Sequence, residues 1–443
     1  MKDKVVLVAS IARGHAIAKK LSESADVHSL IPFGNPGIIG CSTSYQIGNI
    51  VDPQTVAAFA KKINPTYVFI APDDPIAAGA ADAVTEAGFS AIAPFKEVAR
   101  LESDKAFARQ FMREYVKGSC PMFDSFTAPD RLSDYADSID YPFVVKPAGL
   151  TGGKGVKVQG QQFSTRDEGK AYALECLKNG PVVIEEKLEG QEFSLQVFAD
   201  GKTFKPMPLA QDHKHAFEGD TGPMTGGMGS FSCENHLLPF VSQDDYEHGL
   251  EVVRKTIEGI RRKTGKPYKG ILYAQLMLTR KGLYVIEYNC RFGDPEAENV
   301  LPLLKTPLHS ICKAIAEGNL ESQPVEFQKK AAVCKYVVPA GYPDRRDTFK
   351  FVLNEAALKN AGVEWFYSGV EKKHDGLWTT GSRGFAVTAK GANLGTAYQK
   401  VESALSGIDL TGFRYRKDIA SGESLAMKNA RMDSLRSYSP SQK

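Results

Sequence analysis

The sequence predicts a multidomain α/β and α+β protein: a parallel α/β domain first, a larger central domain, and a small C-terminal α+β domain. Three observations carry this. The chain has 443 residues, more than one hydrophobic core ordinarily supports. Its first hundred residues alternate short Val- and Ile-rich runs with helical patterns, and from about Lys330 it turns strand-rich again.

In the first domain, expected over residues 1–100, VVLVAS (Val5–Ser10), VHSLI (Val27–Ile31) and YVFIA (Tyr67–Ala71) read as buried strands. Helical stretches lie at Gly14–Ser24, Pro53–Ile63 and Ile76–Ala87. Such alternation builds a parallel sheet whose ligands sit at the carboxyl ends of the strands. A helix over Ser103–Val116 opens the central domain, expected over 101–328. There the strand Phe143–Pro147 leads into a glycine-rich loop, a helix (Thr165–Lys178) and the strand Val182–Glu186. Extended segments run to about Gln211, followed by a long polar, glycine-rich loop (Asp212–Gly229) that reads as a mobile substrate-binding lid, and a helix near Asp244–Thr264. Ile271–Leu278 and Leu283–Tyr288, joined at Lys281-Gly282, read as a hairpin. AAVCKYVVPA, WFYSGV and FAVTA supply strands to the last domain, over 329–421. Residues 422–443 are rich in Ser, Lys and Arg with few apolar positions, and read as a disordered tail.

Fifty-five Lys and Arg against 52 Asp and Glu leave a net charge of +3. That surplus is too small for a nucleic-acid or membrane-surface binder, and neither is expected as a partner. Seven scattered cysteines without a C-x-x-C pair read as reduced thiols. The apolar run Val5–Ile11 is too short to cross a bilayer, and the cytoplasm is the expected address.

Four segments could carry chemistry. VVKPAGLTGGKGVKV (Val144–Val158) sets Lys146 and Lys154 around Gly149, Gly152, Gly153 and Gly155, so that backbone N–H groups and ammonium charge can approach phosphate oxygens. It is not a Walker A loop, because Lys154 is followed by Gly rather than Ser or Thr. VVIEEKLEGQEFS (Val182–Ser194) ends an apolar strand in carboxylates that can accept from ribose hydroxyls. In LYVIEYNCRFGDPEAE (Leu283–Glu298), Glu287 and Asn289 share one strand face and offer the hard oxygen ligands that suit Mg²⁺, with Arg291 following on that face. Asp294, Pro295 and Glu296 read as a helix start. In QDHKHAFEGDTGPMTGGMGSFS (Gln211–Ser232), Asp212, His213, Lys214 and His215 adjoin the polar loop.

At these residues the chain resembles the phosphoribosylamine–glycine ligase family, also called glycinamide ribonucleotide synthetase. The matching strings are LESDKAF (Leu101–Phe107), VVKPAGLTGGKGV, VIEEKLEGQE, QDHK, DTGPMTGGMG, IEYNCRFGDPE, KYVVPAGYP (Lys335–Pro343) and YRKDI (Tyr415–Ile419). The resemblance implies a central ATP-grasp fold. It implies ATP as co-substrate, Mg²⁺ or Mn²⁺ as the metal, and a monomer or small homo-oligomer. The activity implied is ligation of glycine to 5-phosphoribosylamine through a glycyl phosphate, in de novo purine biosynthesis.

By the same resemblance Lys105, Lys146 and Lys154 would hold ATP phosphates, with Gly152, Gly153 and Gly155 in the closing loop. Glu185, Glu186 and Leu188 would line the adenine site and Glu192 the ribose site, while Glu287 and Asn289 would bind the metal. Asp212, His213, Arg291, Asp294 and Glu296 would form the catalytic glycine and acceptor site, with Lys214, Thr225 and Gly226 as further substrate contacts. The N-terminus departs from the pattern: ASIARGH (Ala9–His15) stands where the family has G-N-G-G-R-E-H, and APDDP (Ala71–Pro75) where it has G-P-E-x-P. FGNPG (Phe33–Gly37) resembles the family's second loop. Arg13, His15, Asn35, Gly37 and Asp73 are expected to hold phosphoribosylamine, with Arg13 replacing lost backbone amides at its phosphate. Two rival readings are another ATP-grasp carboxylate–amine ligase and a non-catalytic nucleotide-binding paralogue.

Overall fold

The computed structural model describes residues 2–150 and 155–437. The N-terminal strands form a five-stranded parallel sheet in the order Ser44–Ile47, Asp26–Ile31, Lys4–Val8, Tyr67–Ile70, Ala91–Ile92. The central strands, buried on both faces, are continuous apolar runs, as parallel sheets require. The expected helix Ile76–Ala87 is two helices, Asp73–Ala78 and Ala80–Glu86, broken at Gly79, whose φ of +100° ends the first.

The central region holds two antiparallel sheets of four strands. One, in the order Phe123–Phe126, Val182–Glu186, Phe143–Pro147, Lys157–Val158, has its own small core around Phe126, Phe143, Phe163 and Ile184. The other, Phe204–Pro206, Gly190–Asp200, Lys269–Thr279, Gly282–Asn289, shares one large core with the N- and C-terminal parts. A lobe with a separate core can shift as a unit against the rest. The candidate site lies between these two sheets.

Two expectations fail. The segment 212–229 is not a long loop: His215–Phe217 pairs with Thr221–Met224, and Gly229–Ser232 pairs with Ala331–Pro339. Its polar backbone is satisfied from the C-terminal end of the chain, where Arg416 and Arg414 donate to the carbonyls of His215 and Ala216. The strands of the QDHK and TGGMG strings thus belong to the C-terminal sheet, beside Phe385–Gly391 and Glu364–Tyr367.

Nor are residues 422–437 a disordered tail, because Gly422–Ser437 is a helix; residues 438–443 of the expected tail lie outside the described residues. It packs Met432, 1% exposed, into the main core, with Leu425 and Leu435 beside it. Arg436 closes its far end on Asp245 (2.7 Å) and the Phe240 carbonyl (3.1 Å). Among the described residues all seven cysteines are free thiols, and no helix is long and apolar enough to cross a membrane.

Candidate active site

Lys105 opens the helix Lys105–Tyr115, capped by Asp104, and its Nζ donates to the Gly149 carbonyl at 2.7 Å. It therefore sits at the mouth of the glycine-rich loop, of which Gly155 is described while Gly152, Gly153 and Lys154 lie outside the described residues. Lys146, on the strand Phe143–Pro147, reaches Glu185 at 2.5 Å. Arg109 grips the other Glu185 oxygen at 2.6 Å, and both cations also touch the Ile286 carbonyl. Burial raises the Glu185 carboxyl, but Arg109 and Lys146 outweigh it and hold the group below the usual range. Glu185, expected to line the adenine site, is thus an ionised brace for Lys146. Glu186 accepts from the Met122 N–H (2.9 Å), and Leu188 is half-buried between the two central sheets.

Glu287 faces this cationic floor from the hairpin. Burial raises its carboxyl, while Lys214, Lys146 and Lys105 more than offset that and keep it ionised. Lys214 Nζ lies 3.9 Å from both Glu287 and Glu192, and Gln275 Nε2 donates to Glu192 at 3.0 Å. Asn289, expected as a metal ligand, turns its Oδ1 to Arg291 at 2.8 Å, and Arg291 also pairs with Glu102 at 3.0 Å. Among the described residues no cluster of three or more His, Cys, Asp or Glu could hold a metal alone. The donors present are carboxylate and amide oxygens, and Asp212 Oδ1 and Glu296 Oε1 are buried nearby without a partner. Such a set fits a hard divalent cation that shares its ligands with phosphate oxygens.

Asp212 and Glu296 lie close enough that burial, then the Glu296 charge, drives the Asp212 carboxyl well above its usual range. Gly227, at φ +107°, brings the backbone against them: a Cβ there would meet Pro295 Cδ at 2.5 Å and Asp212 Oδ1 at 3.0 Å. Thr225 bonds the Lys214 carbonyl, and the Gly226 carbonyl accepts from Arg383 at 2.7 Å. His213 points away from the cleft, and burial followed by the Lys428 charge drives its imidazole well below the usual range. Asp294 is held by two residues of the C-terminal domain, Arg383 (2.9 Å) and Tyr336 (2.7 Å). Pro295 precedes the helix Glu296–Val300 rather than entering it.

The N-terminal residues also differ from expectation. Arg13 is 5% exposed, donates to the Phe292 carbonyl at 3.0 Å and lies 3.8 Å from Asp73. It ties the first domain to the CRFGDPE turn instead of standing open for a phosphate. His15 accepts from the Tyr367 N–H at 3.0 Å, and burial lowers its pKa to about 3. Asn35 caps the helix Pro36–Cys41 and donates to the Tyr367 and Ser368 carbonyls. Gly37 lies flat against the His15 ring, where a Cβ would come within 2.1 Å. His15 and Asn35 dock the first domain on the C-terminal one, and Gly37 packs against the His15 ring. Asp73 alone stays at the cleft edge; burial raises its carboxyl, but Arg291 and Arg13 outweigh this.

The sequence did not mark Arg109, Glu102, Gln275, Arg383 or Lys428, whose partners lie far away along the chain and leave no local pattern. The strings quoted above run through Glu102, but nothing in them marks its pairing with Arg291.

Comparison with known proteins matches all three parts of the chain to phosphoribosylglycinamide synthetase. The N domain matches residues 3–102, the ATP-grasp (A) domain 103–297 and the C domain 332–422. A phosphoribosylamine–glycine ligase of Methanopyrus kandleri is 41% identical, covering 98% of this chain and 99% of its own. That of Pyrococcus furiosus is 43% identical, covering 98% of each. The crystal structure of a Thermotoga maritima phosphoribosylamine–glycine ligase superposes with a TM-score of 0.78 at 29% identity, over 94% of this chain and 100% of that one.

Proposed function

This chain belongs to the phosphoribosylglycinamide synthetase family, and we propose that it joins glycine to 5-phosphoribosylamine at the expense of ATP. The reaction is an ATP-dependent C–N ligation, the step of de novo purine biosynthesis that its relatives' name describes. The observation that carries the reading is the convergence of Lys105, Lys146 and Lys214 on Glu287 between the two central sheets.

In this reading a glycine carboxylate oxygen attacks the γ-phosphorus of ATP and ADP leaves, giving glycyl phosphate. The amine of phosphoribosylamine then attacks the acyl carbon, phosphate departs with that oxygen, and the amine loses a proton. Lys105 and Lys146 hold the polyphosphate, Lys146 fixed by Glu185 and Arg109 so that little reorganisation accompanies transfer. Glu192 accepts from the ribose, and the strand edge near Leu188 faces the purine. Mg²⁺ or Mn²⁺, held by Glu287 with Asn289, would neutralise charge on the transferring phosphoryl group. For Asn289 to take part, Arg291 must release its Oδ1 and turn to substrate. Lys214, Asp212 and Glu296 line the glycine side. The setting is cytoplasmic, with small-molecule partners and the chain acting as a monomer or small homo-oligomer.

The test is product identification with ATP, glycine and freshly generated phosphoribosylamine, omitting each in turn. Glycinamide ribonucleotide, ADP and phosphate should appear in equal amounts only with all three present. Turnover with a different acid or amine would move the enzyme to another ligase, and nucleotide binding without turnover would support the non-catalytic reading.

A further inference from the structure

The helix Gly422–Ser437 begins where the family's C domain match ends, at residue 422. Its Lys428 is buried, and its Nζ donates to His213 Nε2 at 2.8 Å and Gln211 Oε1 at 3.1 Å. Asp220, at 3.8 Å, supplies a counter-charge. Gln211 and His213 lie on the backbone run that pairs with Gly229–Phe231, where successive side chains point to opposite faces. Lys428 therefore touches this run from behind, while Asp212 and Lys214 point forward into the cleft, Lys214 reaching Glu192 and Glu287. Gln211 extends the link by donating to the Glu192 carbonyl at 2.9 Å.

We propose that Lys428 is a positioning residue for ligation, fixing Asp212 and Lys214 through Gln211 and His213. It touches neither substrate nor nucleotide. Its two hydrogen bonds replace the freedom of a short edge segment, only two residues of which are regular strand, with a single register. The burial of a lysine here, in a stripe otherwise made by Ser424 and Met432, has its partners in that segment.

The inference rests on the ligase reading, so parent turnover is established first; a parent without product would fail that reading and leave no comparison to make. The full chain carrying Lys428→Met is then compared with an active parent. Its kcat/KM for glycine should fall about tenfold. The apparent KM for ATP and the affinity for ADP should stay within about twofold, because Lys105 and Lys146 lie on other elements. Lys428→Gln, which keeps an N–H donor on a side chain one atom shorter, should fall between the two and serves if the Met variant does not fold. Arg436→Ala loosens the same helix at its far end and should lower the melting temperature while leaving kcat/KM for glycine at the parent value. Parent kinetics in both Lys428 variants would overturn the proposal. So would an equal loss for glycine and ATP, or the same kinetic loss in Arg436→Ala.

Discussion

Three lysines keep Glu287 ionised in the cleft, and on the ligase reading it would hold the metal where phosphate charge develops. Glu287→Gln removes the charge and keeps the shape. Turnover at saturating Mg²⁺ should fall at least about a hundredfold, on the order of 3 kcal/mol in the barrier. The melting temperature should hardly move, because the side chain is only half-buried. Parent-level activity would remove Glu287 from the metal site. His15 offers a different residue-scale test. Its folded pKa of about 3 lies far below the ordinary value, so the unfolded chain binds more protons between these limits. Stability from the neutral, buried ring is complete above about pH 6.5 and lost as pH falls toward 3. His213, lowered too, adds in the same direction. Asn at position 15 keeps an acceptor that does not titrate. Denaturation at pH 7 and pH 5 should show His15→Asn losing about 2 kcal/mol less than the parent. Equal losses would mean that the ring is protonated in the fold.

Among the elements, those written in apolar periodicity were readable and those written in polar contacts were not. Pro53–Ile63, Phe143–Pro147 and Val182–Glu186 match their expected limits, and the hairpin ending at Asn289 falls within two residues of them. The C-terminal helix escaped because its buried stripe, at spacing four, is Ser424, Lys428 and Met432, so only one position in three is apolar. The hairpin between His215 and Met224 escaped because its order comes from Arg414, Arg416 and Asp418, about two hundred residues away. Likewise Lys105, Lys146 and Lys214 could be read from their strings, whereas Arg109 and the burial of Arg13, His15 and Asn35 between domains could not. A chain stopped after Ser421 tests whether the helix Gly422–Ser437 stabilises the fold. Losing the Met432 side chain from the core costs roughly 1.5–3 kcal/mol before Leu425, Leu435 and the Arg436–Asp245 pair are counted. Its melting temperature should drop by several degrees in a thermal scan. An unchanged value would return the segment to the status of a tail.

Across the whole molecule, the first domain is docked on the C-terminal one by His15 and Asn35, and on the central one by Arg13. The nucleotide-side lobe, by contrast, keeps a core of its own and meets the body at Arg109, Lys146 and Glu185. That division suits an enzyme that must hold two small substrates on a fixed surface while a nucleotide is closed upon them. If ATP activates the glycine carboxylate, one glycine oxygen must leave with phosphate. Turnover with glycine labelled by ¹⁸O in both carboxylate oxygens, followed by mass analysis of the phosphate, tests this directly. Each phosphate formed should carry one labelled oxygen, with the other retained in the amide. Unlabelled phosphate, or ADP formed at the same rate without glycine, would contradict such activation.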